Sequence, residues 1–508
     1  MFSIFATTER INEIHEIIAS EDRLSELIEV VDSMEKVPES SGNCLIVNAK
    51  GILPPIDWHN VSPPYLLANP LPFSKEVLLG LVFSKLGNGE KGWEYLEQYP
   101  VMQFETGLMT RLQFGYQIEL QELVELRKAI TGSDFDQYRM AHNDAIIRHY
   151  GFLDQQVSFE EVQKHYEQAL ELAPNVEYQA FTTKHYATLL LDVEELAKAT
   201  QLLETTIEAA ISEDAKYGLK AVLTSIWMKQ LTVPYDTNLL ANLKDTLWEV
   251  LQYFEKNNRP VEAGLLYVDA AHIANISESF SESLGYITKA IRLFEEEEMH
   301  ELAANAHLRK GTLLYTWAQN GNPQFYKPSI EAYQQALKTF TQEETPDVFA
   351  DIHHNLAILY AEMPAENKKR GIWAGISAAS FQEALNFYGK ESHPYEYGMI
   401  CNNFGNALMK FPPAIHSDNY DKALFYYNEA LSVRSSNYPY ERSITLLNYL
   451  EASWNVSNAE EDFNQERFND MVAKANEVKQ LVQETSMLEE ADRHLDLLQK
   501  LRETVAAQ

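Results

Sequence analysis

From about residue 260 onward, apolar residues recur three and four positions apart, the signature of amphipathic helices, and each stripe carries a small residue at its centre. Four stretches share the pattern: Tyr286-Ile287-Thr288-Lys289-Ala290-Ile291, Ala332-Tyr333-Gln334-Gln335-Ala336-Leu337, Ser380-Phe381-Gln382-Glu383-Ala384-Leu385 and Tyr426-Tyr427-Asn428-Glu429-Ala430-Leu431. Their alanines, 290, 336, 384 and 430, are separated by 46, 48 and 46 residues. Upstream lies a second pattern, Lys310-Gly311-Thr312-Leu313-Leu314, Leu356-Ala357-Ile358-Leu359-Tyr360 and Phe404-Gly405-Asn406-Ala407-Leu408, whose small residues are again 46 and 48 apart. Two independent markers moving in step define a repeat, and the small residue lets a neighbouring helix backbone approach closely. Each repeat is therefore expected to be a helical hairpin.

The pattern resembles the tetratricopeptide repeat family, with Phe404, Gly405 and Leu408 on the first helix and Ala423, Tyr427 and Ala430 on the second. The family period is 34 residues, so these repeats carry about a dozen extra, placed between the helices in 363–371 and 411–419. Proline and glycine there end one helix before the next begins. The resemblance implies an all-α fold, an α-solenoid coiled as a right-handed superhelix. Weaker copies lie at Tyr166-Glu167-Gln168-Ala169-Leu170 with Pro174, and at Tyr186-Ala187 with Leu190, Ala199 and Leu203. Asp214 to Asn257 reads as two further helices and Leu447 to Trp454 as another first helix, with its partner from about Phe468 to Gln483. A polar capping helix follows from about Ser486 to Thr504, with Leu495, Leu497, Leu498 and Leu501 on its buried side.

The first residues differ. Helices are expected over about Glu9–Ala19 and Asp22–Ser33. An apolar run, Cys44-Leu45-Ile46-Val47, follows, which the sequence leaves open as strand or not, and then a proline-rich connector from Pro54-Pro55 to Pro72. The expected organisation is an atypical region 1–72, degenerate hairpins 73–210, an irregular helical pair 211–260, repeats 261–483 and a cap 484–508.

Charge narrows the partners. The chain has 508 residues, 41 Lys+Arg against 75 Asp+Glu, and a net charge of −34. Binding to nucleic acid or an anionic membrane rests on clustered basic residues, so neither is expected, and a basic protein segment is favoured instead. No run approaches the ~18 apolar residues of a membrane span. Two cysteines, Cys44 and Cys401, give no disulfide framework or thiolate zinc site, and no basic region precedes an apolar leader, so a reducing, cytoplasmic setting is expected.

Candidate chemistry is sparse. Gly87-Asn88-Gly89-Glu90-Lys91-Gly92 has the spacing of a dinucleotide loop, but Ser84-Lys85-Leu86 separate it from the apolar run before it and no strand–helix alternation follows, so a helix-to-helix turn is expected. The pairs His300/His307 and His142/His149 are seven apart and His353-His354 are adjacent, none of which suits a shared zinc ion on a helix. No catalytic residue, cofactor or metal is expected. One polar set stands out: two positions before the small residue of each first helix stand Arg309, Asn355, Asn403 and Tyr449, with Asn402, Asn406 and Asn448 nearby. In tetratricopeptide domains this concave position carries asparagines that hold an extended peptide, since an amide offers both a donor and an acceptor to any peptide unit. The resemblance thus implies a non-enzymatic scaffold with a peptide-binding groove formed by Arg309, Asn355, Asn402, Asn403, Asn406 and Asn448. The alternatives are a regulator or sensor whose activity lies in the N-terminal region, and a self-assembling structural subunit.

Overall fold

The computed structural model describes residues 2–32, 44–60, 62–130, 132–364, 367–413, 418–457 and 463–506, in two compact units, Met1–Arg259 and Pro260–Gln508. Parts of the two long connections, 365–366 and 414–417, lie outside the described residues.

The first unit opens on a small sheet. Alternation in Phe2-Ser3-Ile4-Phe5-Ala6 makes β1 (Phe2–Ala6), followed by α1 (Ile11–Ala19). The helix expected over Asp22–Ser33 does not form. Arg23 adopts φ 60°, a single 3₁₀ turn spans Leu24–Glu26, and β2 (Ile28–Val31) pairs with β1. Ile28, Val30 and Val31 are β-branched and stiff at χ1, which suits a strand better than a helix. The open run becomes β3 (Cys44–Asn48), paired with β4 (Gly51–Leu53), and the order is β2-β1-β3-β4 with only the last pair antiparallel. Gly51, at φ 133°, has a conformation side-chain-bearing residues rarely adopt.

Ile14, Ile17 and Ile18 of α1 join Ile4, Leu45 and Val47 in one core, which continues through Val77, Leu78 and Leu81 of α2 (Lys75–Lys85) and Leu108 of α4 (Pro100–Phe114). Residues on both sides of position 72 therefore share one interior. The glycine-rich segment is the turn between α2 and α3 (Gly89–Tyr95): Asn88 caps the Lys91 amide, and a Cβ on Gly92 would stand 3.0 Å from the Gly80 carbonyl. Beyond α5 (Leu120–Ala129) come three helix pairs, α6 (Asp134–Tyr150) with α7 (Phe159–Leu172), α8 (Val176–Asp192) with α9 (Leu196–Ile207), and α10 (Glu213–Gln230) with α11 (Thr237–Lys256).

The second unit has five pairs and a final helix: α12 (Pro260–Ile276) with α13 (Phe280–Glu296), α14 (His300–Gln319) with α15 (Tyr326–Ala336), α16 (Pro346–Glu362) with α17 (Asn367–Phe387), α18 (Pro394–Lys410) with α19 (Asn419–Val433), α20 (Pro439–Ser453) with α21 (Gln465–Leu481), and α22 (Thr485–Ala506). Beyond the small sheet, each unit taken by itself is an α-solenoid of helical hairpins. The marker alanines 290, 336, 384 and 430 are all fully buried. Three pairs carry a buried serine on the second helix that donates to the carbonyl of the small residue on the first: Ser283 to Ala271 (2.7 Å), Ser329 to Gly311 (2.7 Å) and Ser377 to Ala357 (2.6 Å). On α22 the buried stripe is Met487, Ala491, His494 and Leu498. Leu497, expected inside, is 41% exposed, because the stripe spacing of four, three and four turns it away.

Candidate peptide-binding face

The first helices of successive pairs in the second unit place one residue in the same position, the tenth of each: Asp269 on α12, Arg309 on α14, Asn355 on α16, Asn403 on α18 and Asn448 on α20. Asn448 takes this position, while the neighbouring Tyr449 is buried, with Lys474 over its ring at 4.5 Å. Asp269 escaped the sequence reading because the α12–α13 connection is short, so counting 46 back from Arg309 lands on Ala263.

Four polar side chains on three successive first helices form a directional chain. Asn448 Nδ2 donates to Asn402 Oδ1 (3.1 Å), Asn402 Nδ2 to Asn403 Oδ1 (3.4 Å), and Asn403 Nδ2 to His354 Nε2 (3.0 Å). Burial pushes His354 down to about 4, so the ring is neutral near pH 7 and has a lone pair to accept with. An amide has two N–H donors and an oxygen with two lone pairs. Asn403, half-buried, therefore keeps a donor and an acceptor position while its orientation is set by the chain, and Asn402, which is buried, serves to orient it.

The other predicted residues behave differently. Asn355 donates to the Asp351 carbonyl, one turn back on its own helix, at 3.0 Å. Arg309 is exposed, and its charge pulls down the Asp269 carboxyl, which burial nonetheless pushes up to about 6. Asn406 is not brought into the polar chain. Its Oδ1 accepts the Tyr427 hydroxyl at 2.7 Å, a contact within the α18–α19 hairpin, as Thr312 pairs with Tyr333 at 2.9 Å in α14–α15.

The first unit shows what such a position does when it meets irregular backbone, here a connector that turns at Pro64 with the Tyr65 N–H on the Pro63 carbonyl at 2.7 Å. Asn143, tenth residue of α6, takes the Leu66 N–H on Oδ1 (2.8 Å) and donates from Nδ2 to the Leu66 carbonyl (2.8 Å). Beside it, His142 places Nε2 3.0 Å from the Pro64 carbonyl and Nδ1 3.0 Å from the Thr182 hydroxyl. Burial pushes His142 down to about 4, so the neutral ring donates at Nε2 and accepts at Nδ1. The proline-rich connector is thus laid along the first helices of its own unit. Trp58, 1% exposed, meets Phe181 edge-to-face at 5.3 Å, and Lys184 donates to Asn60 at 2.7 Å. One signal in the sequence pointed to this residue: His142-Asn143-Asp144-Ala145-Ile146 matches His354-Asn355-Leu356-Ala357-Ile358 at four of five positions.

His149 contacts the Tyr166 hydroxyl at 2.8 Å and Asp192 at 3.3 Å, and the Tyr150 hydroxyl lies 3.1 Å from His185 Nδ1. Among the described residues no group of His, Cys, Asp and Glu is arranged to hold a metal, and no helix is long and apolar enough to cross a membrane. A cavity of about 700 Å³ opens at the loop edge of the second unit, beside the 2.8 Å ion pair of Lys410 and Glu362.

The neutral state of His354 makes a pH prediction. Its folded value lies below the ordinary 6.5, so the unfolded chain binds more protons between pH 6.5 and 4, and stability falls as pH drops through that window. His354→Gln, which keeps a neutral polar group, is expected to lose less melting temperature than the parent between pH 7 and pH 5. Equal losses in differential scanning fluorimetry would refute it.

The family described as soluble NSF attachment protein, SNAP, matches residues 242–401. No curated protein matches the sequence. Among solved structures, the human IFIT1 dimer with m7Gppp-AAAA is 13% identical and has a TM-score of 0.42, covering 83% of this chain and 89% of its own. A signal transduction ATPase with numerous domains from Pyrococcus horikoshii, bearing a tetratricopeptide repeat sensor, is 12% identical with a TM-score of 0.48, covering 97% and 82%. Yeast Tom70 is 11% identical with a TM-score of 0.34, covering 85% and 89%.

Proposed function

We propose that this chain is a non-enzymatic interaction scaffold whose second unit binds a peptide or protein segment along the first-helix row. The observation that carries the reading is the chain from Asn448 through Asn402 and Asn403 to His354, which fixes amides on two neighbouring helices against a ring on a third and leaves the half-buried Asn403 able to pair with a peptide backbone. Arg309 extends the row with a charge suited to a ligand carboxylate. The net charge of −34 favours a segment that is basic elsewhere along its length. In this reading the repeats are tetratricopeptide-like units of 46–48 residues, lengthened between their two helices.

The test is a partner recovered by affinity capture from native extract and then titrated against the purified chain. Replacing Asn355 and Asn403 together by alanine is expected to weaken binding about tenfold or more, since two lost hydrogen bonds of about 0.5–1.5 kcal/mol each span one decade. Alanine favours helix more than asparagine does, so helical circular dichroism should be retained. Unchanged affinity with an intact helical signal would eliminate the groove and move binding to the loop edge near Pro412.

A further inference from the structure

The glycine-rich turn between α2 and α3 lines a cavity of about 540 Å³ in the first unit, together with residues of α4 and Glu122 of α5. Gly87 and Gly89 contribute bare backbone to it. Three aromatic residues of the lining, Trp93 of α3 and Phe114 and Tyr116 at the end of α4, are 46 to 60% exposed. Single exposed aromatics need no explanation, but three around one cavity do. Local structure puts each in place. A Cβ on Gly107 would stand 2.8 Å from Trp93 Cζ3, so the indole lies directly against the bare backbone of α4. Gly115 takes φ 67° and the Tyr116 N–H returns to the Arg111 carbonyl at 2.9 Å, which sets Tyr116 beside Phe114 with ring centroids 6.2 Å apart.

The polar groups of the lining disfavour an anion. Ser84 Oγ donates to the Gly80 carbonyl at 2.8 Å, Thr106 Oγ1 to the Gln103 carbonyl at 3.0 Å and Thr110 Oγ1 to the Thr106 carbonyl at 3.0 Å, so these hydroxyl protons are spent on their own helices. Arg111 is the one cation among the lining residues. Its Nη1 donates to Glu122 at 2.7 Å, and its guanidinium lies 5.8 Å from the centroid of the Phe104 ring. Glu90 and Glu122 against this one guanidinium leave the lining net negative. A second cavity of about 460 Å³ adjoins the first through Phe104 and Glu122, and adds Glu119 and Glu125 with no cation among its lining residues.

A positive ligand with little need for hydrogen bonds fits both the rings and the charge. An aromatic face attracts a cation within about 6 Å of its centroid, and indole does so most strongly. A primary ammonium is strongly hydrated and carries three N–H donors that require acceptors, whereas full methylation replaces them by C–H groups that pack on rings. Arg111 over Phe104 already holds one cation on a ring of this cavity. We propose that the cavity binds a quaternary ammonium group, with Trp93, Phe114 and Tyr116 as the ring faces and Glu90 as the counter-charge. The site belongs to the first unit and does not rest on the groove reading. The same group is carried by a free solute such as choline and by a trimethylated lysine side chain.

The experiment is isothermal titration calorimetry on the full-length chain. Choline is expected to bind saturably, at least tenfold more tightly than dimethylbutanol, its neutral isostere with carbon in place of the charged nitrogen. Trp93→Ala should weaken choline at least tenfold with helical circular dichroism unchanged, and Trp93→Phe should recover most of that loss. The isostere comparison needs no protein variant, so the test survives if Trp93→Ala fails to fold. A short peptide carrying trimethyllysine, run beside the same peptide with unmodified lysine, separates the sources. Tighter binding of the methylated peptide than of choline assigns the ligand to a partner's side chain, and the reverse assigns it to a free solute. Absence of saturable binding by both choline and the methylated peptide, equal binding of the neutral isostere, equal binding of the unmodified peptide, or full affinity in Trp93→Ala would each overturn the proposal.

Discussion

Replacing Gly405 by leucine is expected to lower the thermal midpoint of the chain sharply, with a cost of roughly 1–3 kcal/mol or more. Even a single carbon is too much. A Cβ on Gly405 would stand 2.7 Å from Cζ and 2.8 Å from Cδ1 of Tyr427. That ring cannot step aside easily, since it is 1% exposed and its hydroxyl is tied to Asn406 at 2.7 Å. Interiors packed at crystal-like density relieve such overlap only by shifting a helix or forcing a strained rotamer. Gly285 supplies the control: nothing lies within 4 Å of a Cβ there, and it sits inside α13, so Gly285→Ala should be neutral or stabilising by up to about 1 kcal/mol. Calorimetry on both variants separates packing from helix propensity. An unchanged midpoint for Gly405→Leu would refute the helix contact.

The second large effect lies in the first unit, at a buried ion cluster. Glu105 on α4 and Arg139 on α6 are each 2% exposed and paired, Arg139 Nε also reaches Asp136 at 2.7 Å, and the Tyr65 hydroxyl donates to Glu105 at 3.1 Å. Arg139→Met is expected to destabilise by about 3–5 kcal/mol, because it strands a carboxylate away from water with only one donor left. Burial already pushes Glu105 upward against the pull of Arg139, so without the guanidinium the carboxyl should take up a proton. Adding Glu105→Gln should therefore recover much of the loss, since a neutral amide needs no counter-charge. Urea unfolding followed by tryptophan fluorescence measures both. A loss below about 1 kcal/mol for the single variant, or no recovery in the double, would show that the pair is solvated.

The hairpins of the second unit were readable because their cause is local: a small residue every turn or two, an aromatic facing it, and proline or glycine where a helix must stop. The sheet was not. β1 has five residues, too few for alternation to stand out, and β2 was misread as helix because its stability comes from pairing with β1, more than 20 residues away. The same distinction divides the polar row. Asn355 and Asn403 follow from repeat register, which in the next copy pointed to Tyr449 where the structure places Asn448, whereas the role of Asn143 depends on Leu66, 77 positions away, and Asn406 meets Tyr427 across its own hairpin. Leu497 and Leu498 are neighbours in sequence, and a rotation of one residue sends one out and the other in.

The buried serines on second helices also have a mechanical meaning. A hydroxyl on a main-chain carbonyl at 2.6–2.7 Å acts as a detent, because sliding one helix along the other by about 1 Å breaks the bond. Three consecutive pairs, from α12–α13 to α16–α17, are latched in this way. In α18–α19 the residue that packs at that level is Ala423, fully buried, whose methyl offers no such latch, and the fixed point moves to Tyr427 and Asn406. Resistance to axial shear is therefore uneven along the second unit. The pair that carries Asn402 and Asn403 is held by a tyrosine hydroxyl and an amide, where its three predecessors are held by a serine on the backbone itself.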